Sequence, residues 1–292
     1  MKYNHLKNLE SESIFIIREA FACYKNPVLL YSIGKDSGVL ARLCKKAFYP
    51  TRVPFPSMHV DTGYKFKEMY EFRDNKKQWK KENFSTLHIY SNSKWQEQKC
   101  HPSKYGTNVC CSHLKTEALL DSIKKYQFDA AIGGARREEE KSRAKERIFS
   151  IRDKNGQWNP KNQKPELWNL YNTFMKDDET VRVFPLSNWT EIDIWNYIKI
   201  ENIPVVSLYF AKKRKVINKN NILIPSENGE EIMCRFRSLG CVPCTGAIKS
   251  SATTIDDIIN ELKITKRSER ENRIIDRNGD SSMEDKKREG YF

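Results

Sequence analysis

The chain has 292 residues, 38% of them apolar, and a formal charge of +14. This composition excludes a disordered chain and suffices for one large domain or a domain with an appendage. No apolar run approaches bilayer length, and charges interrupt the apolar part of MKYNHLKNLESESIFIIREA. A cytoplasmic protein with no membrane association is therefore expected, its cysteines serving as thiols, metal ligands or catalytic groups rather than disulfides. The basic balance suits polyanionic partners, and it equally describes a lysine-rich solvated surface.

In chain order, PVLLYSIG (27–34) is a short apolar run ending in glycine and predicts a strand. Val39, Leu40, Leu43, Cys44 and Ala47 then recur at helical spacing. PSMHVDTG (56–63) predicts a second strand, with a helix around Phe66, Met69 and Tyr70, and TLHIY (86–90) a third. Residues 112–126 read as helix and FDAAIGG (128–134) as a fourth strand. Strands alternating with helices imply an α/β fold, a parallel sheet with helices on both faces. Residues 153–180 are polar and read as a long loop. VRVFPLSNWTEIDIWNYI (181–198) predicts a strand and a helix, capped by Thr190 with Asp193 three residues on. Residues 211–231 look like an exposed hairpin or loop, and the tail beyond Thr265 is dense in both charge signs. The expected division is a nucleotide-binding domain over 1–210 and an irregular C-terminal extension over 211–292.

Three strand ends carry polar or glycine motifs: SIGKDS (32–37), HVDTG (59–63) and GGARR (133–137). In a parallel sheet they converge on one crevice beyond the carboxyl ends of the strands. SIGKDS offers a glycine for close backbone approach, the hydroxyls of Ser32 and Ser37, the charge of Lys35 and a helix N-terminus, a set suited to phosphate. It is not a Walker A loop. Asp61 is placed to accept from a ribose hydroxyl or help hold Mg²⁺, and it is equally a plausible turn residue. His59 reads as a packed strand residue rather than a catalyst. A continuous helix after the glycines would put Arg136, Arg143 and Arg147 on one face, where guanidinium forks suit phosphate and sulfate oxygens. The alternative is a self-paired surface helix, Glu139 holding Arg143.

SIGKDS resembles the pyrophosphate loop of the adenine-nucleotide α-hydrolase group, with Ile33 in place of that loop's first glycine. The longer stretches LYSIGKDSGVLARLCKKAF, PFPSMHVDTGYKFKEMYEFRD, FDAAIGGARREEEKSRAKERIFSIRD, RVFPLSNWTEIDIWNYI and KKREGYF resemble the small, ATP-pyrophosphatase subunit family of bacterial sulfate adenylyltransferases, within the phosphoadenylyl-sulfate reductase superfamily. In that family isoleucine in SIGKDS is ordinary. The resemblance implies an adenine-nucleotide α-hydrolase-like sheet and a nucleotidyltransferase converting ATP and sulfate to adenylyl sulfate and pyrophosphate. It implies Mg²⁺ and a GTPase large subunit as partner. The GTPase must be a separate chain, because no Gly-x-x-x-x-Gly-Lys-Ser/Thr motif occurs here. Carried over, Ser32, Gly34, Lys35, Asp36, Ser37, Asp61 and Gly134 would bind nucleotide, and Lys35, Arg136, Arg143 and Arg147 would act in catalysis.

VCCSHLK (109–115) and LGCVPCT (239–245) add four thiols. Cys110-Cys111 and Cys241-x-x-Cys244 resemble the cysteine pattern of iron–sulfur adenylyl-sulfate reductases, which implies a [4Fe–4S] cluster. Zinc in a four-cysteine site and four ordinary buried thiols are the alternatives. No cysteine follows Cys244, so the catalytic cysteine of those reductases has no counterpart, and a sulfonucleotide reductase is not expected. Two rivals remain. One is an iron–sulfur ATP pyrophosphatase passing sulfur to nucleic acid, as in DNA phosphorothioation; the other is a nucleotide-binding subunit without turnover.

Overall fold

The apolar runs at 27–30, 57–60 and 130–132 become short, sheltered strands because helices cover them on both faces, while the edge run at 87–90 is only partly covered. In the computed structural model, residues 2–75, 84, 86–219, 221–265, 268 and 269 are described. The charged tail beyond Thr265, with its KKREGYF end, lies outside the described residues apart from Ser268 and Glu269. The main sheet has six strands: β1 (Pro27–Leu30), β2 (Ser57–Val60), β3 (Leu87–Tyr90), β4 (Ala130–Ile132), β5 (Phe149–Arg152) and β6 (Thr180–Val183). Their order is β3-β2-β1-β4-β6-β5. All neighbours pair parallel except β5 and β6. The chain runs outward from β1 through β2 to β3, then returns to β4 on the other side of β1. The switch point therefore lies between β1 and β4, where ligands of open parallel sheets bind.

Helix α1 (Lys2–Cys23) buries Leu6, Leu9, Ser13, Ile16, Ile17 and Ala20, one stripe at helical spacing. Ser13 satisfies two partners inside that stripe, donating to the Pro185 carbonyl at 2.8 Å and accepting from the Trp189 indole at 2.9 Å. Helix α2 (Lys35–Phe48) places Val39, Leu40 and Leu43 in the same core, each fully buried. Truncating Leu40 to alanine there would cost about 2–5 kcal/mol. Helix α3 (Lys67–Asp74) follows β2 and buries Met69.

The expected helix at 112–126 is interrupted: residues Ser112–Glu117 form a π-helical turn before α4 (Ala118–Tyr126). Helix α5 (Glu191–Glu201) begins with the expected cap, in which the Asp193 amide donates to the Thr190 hydroxyl and the Thr190 amide donates to Asp193. Residues 153–180 are mainly irregular, with two short 3-10 turns. Residues 211–231 belong to a second, antiparallel sheet of β7 (Lys212–Lys219), β8 (Ile222–Pro225), β9 (Glu230–Arg235) and β10 (Ile248–Lys249), ordered β10-β9-β7-β8. Val216, Cys234 and Phe236 sit in the same apolar cluster as α2 and α5, so the second sheet shares the main core. Helix α6 (Ile255–Ile264) completes the described fold. No described helix is long and apolar enough to cross a membrane.

Candidate functional site

At the end of β1 the chain turns through Ser32-Ile33-Gly34 into α2. Ile33 takes a left-handed backbone, φ 69°, with its side chain buried. The Ser32 hydroxyl accepts from the Gly34 amide at 3.4 Å and donates to the Ser37 hydroxyl at 3.2 Å, and Ser37 donates to the Gly34 carbonyl at 2.9 Å. The two serines thus brace the loop across the first turn of α2. Gly34 caps the helix without any side-chain bond, which leaves the helix N-terminus to be served by other groups. One of them is Tyr209, whose buried hydroxyl accepts from the Lys35 amide at 2.8 Å.

Lys35 is 1% exposed. Its ammonium is bonded to Asp36 at 3.0 Å and to Glu269. Burial works against the charge, but Asp36 and Glu269 outweigh it and hold the ammonium above the ordinary lysine range. From β4, Gly134 brings its backbone against Asp36, so closely that an added Cβ would stand 3.3 Å from Asp36. That contact positions Arg136 over the loop, where it bonds Asp36 at 2.7 Å, Glu138 at 2.9 Å and Glu269 at 2.6 Å.

The single-face arginine helix does not form. The 3-10 turn Arg137–Glu139 ends at Glu140, which is extended (φ −166°), and only Lys141–Ala144 returns to helix. Arg136 points inward to its carboxylates, whereas Arg143 lines the cleft and bonds Glu139 at 2.5 Å. Arg147 turns away and donates to the Lys164 carbonyl at 3.0 Å. The break at Glu140 separates it from the other two, so the grouping of all three arginines is corrected to Arg136 and Arg143.

The cleft beyond β1, β2 and β4 encloses about 250 Å³. Leu30, Met58, Val60 and Leu119 give it an apolar wall, and Ser32, Gly34, Asp36, Ser37, Gly134 and Arg143 a polar one. His59 also lines it, 1% exposed, with Nδ1 2.8 Å from the Tyr31 carbonyl. Burial, and then Lys65 nearby, lowers its pKa to about 4, so the ring is neutral near pH 7. Asp61 sits at the strand end but is held by the Gly63 amide (2.8 Å), the Tyr70 hydroxyl (2.9 Å) and Arg73 (2.8 Å). Burial pushes its carboxyl up, and these three partners outweigh that to leave it below the usual range.

The four singled-out thiols come together. Cys110, Cys111, Cys241 and Cys244 are all buried, unbridged, and line one small pocket with Thr62, Tyr64 and Lys115. Cys110 and Cys111 end a short helix at the π turn, a common place for a functional irregularity. The turn carrying Cys241 is fastened beside β2 by the Val242 amide donating to the Tyr64 carbonyl at 2.8 Å, and Cys241 Sγ lies 3.1 Å from the Thr62 hydroxyl. Thr62 and Lys115 line both this pocket and the cleft. Burial raises the Cys244 thiol to about 12. Among the described residues, no three His, Cys, Asp or Glu side chains are grouped to hold a single metal ion. Cys44, Cys100 and Cys234 are buried elsewhere in the packing or beside Cys110, and Cys23 is exposed.

Residues 26–247 match the phosphoadenosine phosphosulfate reductase domain family. The chain is similar to sulfate adenylyltransferase subunit 2 of Sulfurimonas denitrificans, 55% identical over 301 aligned residues that span 100% of this chain and 98% of that protein. The chain belongs to the sulfate adenylyltransferase subunit 2 family. The Phocaeicola vulgatus protein of the same name is also 55% identical, with the same coverage. The family is one of nucleotidyltransferases, and this chain is an enzyme of that class. Among solved structures, FMN adenylyltransferase from Candida glabrata is similar with a TM-score of 0.51 at 17% identity, covering 94% of this chain and 89% of that one. At that identity the likeness shows the α/β fold alone.

Within this subunit 2 fold, Tyr209 and Glu269 are the site residues that sequence reasoning did not find. Each reaches the phosphate loop from far along the chain, and neither stands in a motif that marks it. Trp195 stacks edge-on against Tyr209 at 5.4 Å, which fixes the ring that serves the Lys35 amide.

Proposed function

We propose that this subunit joins the adenylyl group of ATP to sulfate. A sulfate oxygen forms a bond to the α-phosphorus, the α–β phosphoanhydride bond breaks, and pyrophosphate leaves with the electron pair. The observation that carries the reading is a phosphate-type loop, Ser32–Ser37, at the switch point of the sheet in a chain similar over its full length to sulfate adenylyltransferase subunits. The mixed anhydride product is high in energy, so the step needs coupling. The relatives' designation as subunit 2 supports a separate partner, which we take to be a GTPase.

The chemistry asks the protein to gather negative charge rather than to supply a nucleophile. Lys35, the loop hydroxyls and the start of α2 would hold the leaving pyrophosphate. The apolar wall of the cleft would receive the adenine. Arg143, which lines the cleft, would draw sulfate in against the repulsion of the phosphates, and Arg136, buried beside Lys35, would share the phosphate charge. Mg²⁺ bound with the nucleotide would neutralise further phosphate charge. The turnover test is pyrophosphate release by the folded chain with its cognate GTPase, dependent on both sulfate and GTP. Release that requires DNA or tRNA instead of sulfate would favour nucleic acid as the acceptor.

The four-thiol pocket supports a [4Fe–4S] cluster as a resident group. Four buried cysteines facing one pocket supply its ligand count, and each thiolate would bind one iron of the cluster, so the four need not be grouped as closely as the ligands of a single ion. The cluster would supply structure and local charge beside the cleft. Among the described residues no cysteine lines the cleft to supply electrons for sulfate reduction.

A further inference from the structure

Glu269 follows α6 by only a few residues, yet its carboxylate lies at the phosphate loop. It is 4% exposed, lines the cleft, and spans the two buried cations: one oxygen on Lys35 Nζ, the other 2.6 Å from Arg136 Nη2. Its neighbour Ser268 is pinned on both sides, its hydroxyl donating to the Glu139 carbonyl at 2.9 Å and its own carbonyl accepting from Arg237 at 3.5 Å. Two oxygens of one trigonal group, bridging an ammonium and a guanidinium, reproduce what two oxygens of a phosphoryl group would do there.

The charges make the two occupants exclusive. Lys35 and Arg136 are met by the carboxylates of Asp36, Glu138 and Glu269, and the cation side chains are 1% and 0% exposed. A phosphoryl group added to that cluster would face these carboxylates with Lys35 and Arg136 already engaged by them. Removing Glu269 without replacement would leave the two buried cations sharing Asp36 and Glu138, and would take a bonded partner from each of them. Resting on the proposal that this loop receives ATP, we infer that Glu269 is a tethered stand-in for a nucleotide phosphoryl group. It holds the Lys35–Arg136 pair in place while the cleft is empty. ATP or pyrophosphate binds by exchanging phosphate for carboxylate, and residues 268 and 269 leave the site as it does so. Nucleotide affinity is then reduced by the fraction of molecules in which Glu269 is seated.

The test is calorimetric titration of the full chain with Mg²⁺ and the non-cleavable α,β-methylene analogue of ATP, for wild type, Glu269→Gln and Glu269→Asp. Glutamine keeps the shape and removes the charge, so it should bind the analogue at least tenfold more tightly than wild type, whereas aspartate should stay within a fewfold. In wild type, deuterium uptake by the peptide covering 265–269 should rise when the analogue binds. Equal or weaker binding by a folded Glu269→Gln protein overturns the inference, because it would make Glu269 a bystander or a direct ligand of the nucleotide. So does a fall in uptake on binding, a readout that stands even if the variant does not fold. Wild type that binds neither the analogue nor pyrophosphate refutes the underlying reading as well, which separates the two failures.

Discussion

Replacing Lys35 by methionine tests charge apart from packing. The ammonium is buried between Asp36, at 3.0 Å, and Glu269, and methionine fills most of the same volume without the charge. Removing one member of a buried ion cluster costs about 3–5 kcal/mol. The low end applies here, because Arg136 still bonds both carboxylates, at 2.7 and 2.6 Å. We therefore expect the variant to fold with an unfolding free energy lower by about 3 kcal/mol. Catalysis should suffer separately. A group that stabilises charge developing on a leaving pyrophosphate contributes on the order of 10²–10³ in turnover. Initial rates of sulfate-dependent pyrophosphate release, measured with the cognate GTPase below the variant's unfolding temperature, should fall by that factor. Circular dichroism on the same samples controls for folding. A folded Lys35→Met protein that releases pyrophosphate at the wild-type rate would refute the placement of the leaving group at this loop.

Arg143 lines the cleft beside its partner Glu139, so Arg143→Ala should raise the sulfate KM about 10- to 100-fold, the loss of a charged hydrogen bond, while changing the affinity for the ATP analogue less than twofold; steady-state kinetics and calorimetry read the two effects. His59 has its pKa lowered to about 4, so between that value and the unfolded value near 6.5 the unfolded chain binds the extra proton. Stability should fall as pH drops through that window, by up to about 3 kcal/mol, and denaturant unfolding of His59→Gln should show a flatter profile there. Protein purified without oxygen should carry about four irons per chain, and serine at any one of Cys110, Cys111, Cys241 or Cys244 should lower iron content; colourless, iron-free wild type with full activity would identify the four as ordinary buried thiols. Thr190→Ala removes the cap of α5 and should lower thermal stability by about 1 kcal/mol.

Local signals were legible where a residue's role depends on its near neighbours. The five parallel strands, the phosphate-type loop and the Thr190–Asp193 cap all follow from short patterns, and each stands where its pattern puts it. The crevice was legible because parallel strands force their carboxyl ends together. The arginine face was not, since helical phase assumed across Glu140 breaks when one residue goes extended. The antiparallel pairing of β5 to β6 was also hidden: FSIR alternates apolar and polar residues, but four residues do not disclose which strand they pair with or in which direction. Tyr209 and Glu269 were beyond reach for a different reason. Their partners lie 174 and 234 residues away, and only the folded sheet brings them to Lys35.

Ile33 bears on how this loop keeps its shape. A β-branched residue in the left-handed region pays about 1–3 kcal/mol in backbone energy, a cost that glycine would not carry. What compensates is remote: the side chain is locked into the apolar cluster that also contains Val39 and Leu40. The curvature of the loop is therefore lent by the interior and is not intrinsic to the peptide. A synthetic fragment spanning residues 27–48 would have no reason to adopt it. Within the whole protein, the loop behaves as a spring clipped to the core, so core substitutions that never touch the cleft should loosen phosphate recognition before they melt the sheet.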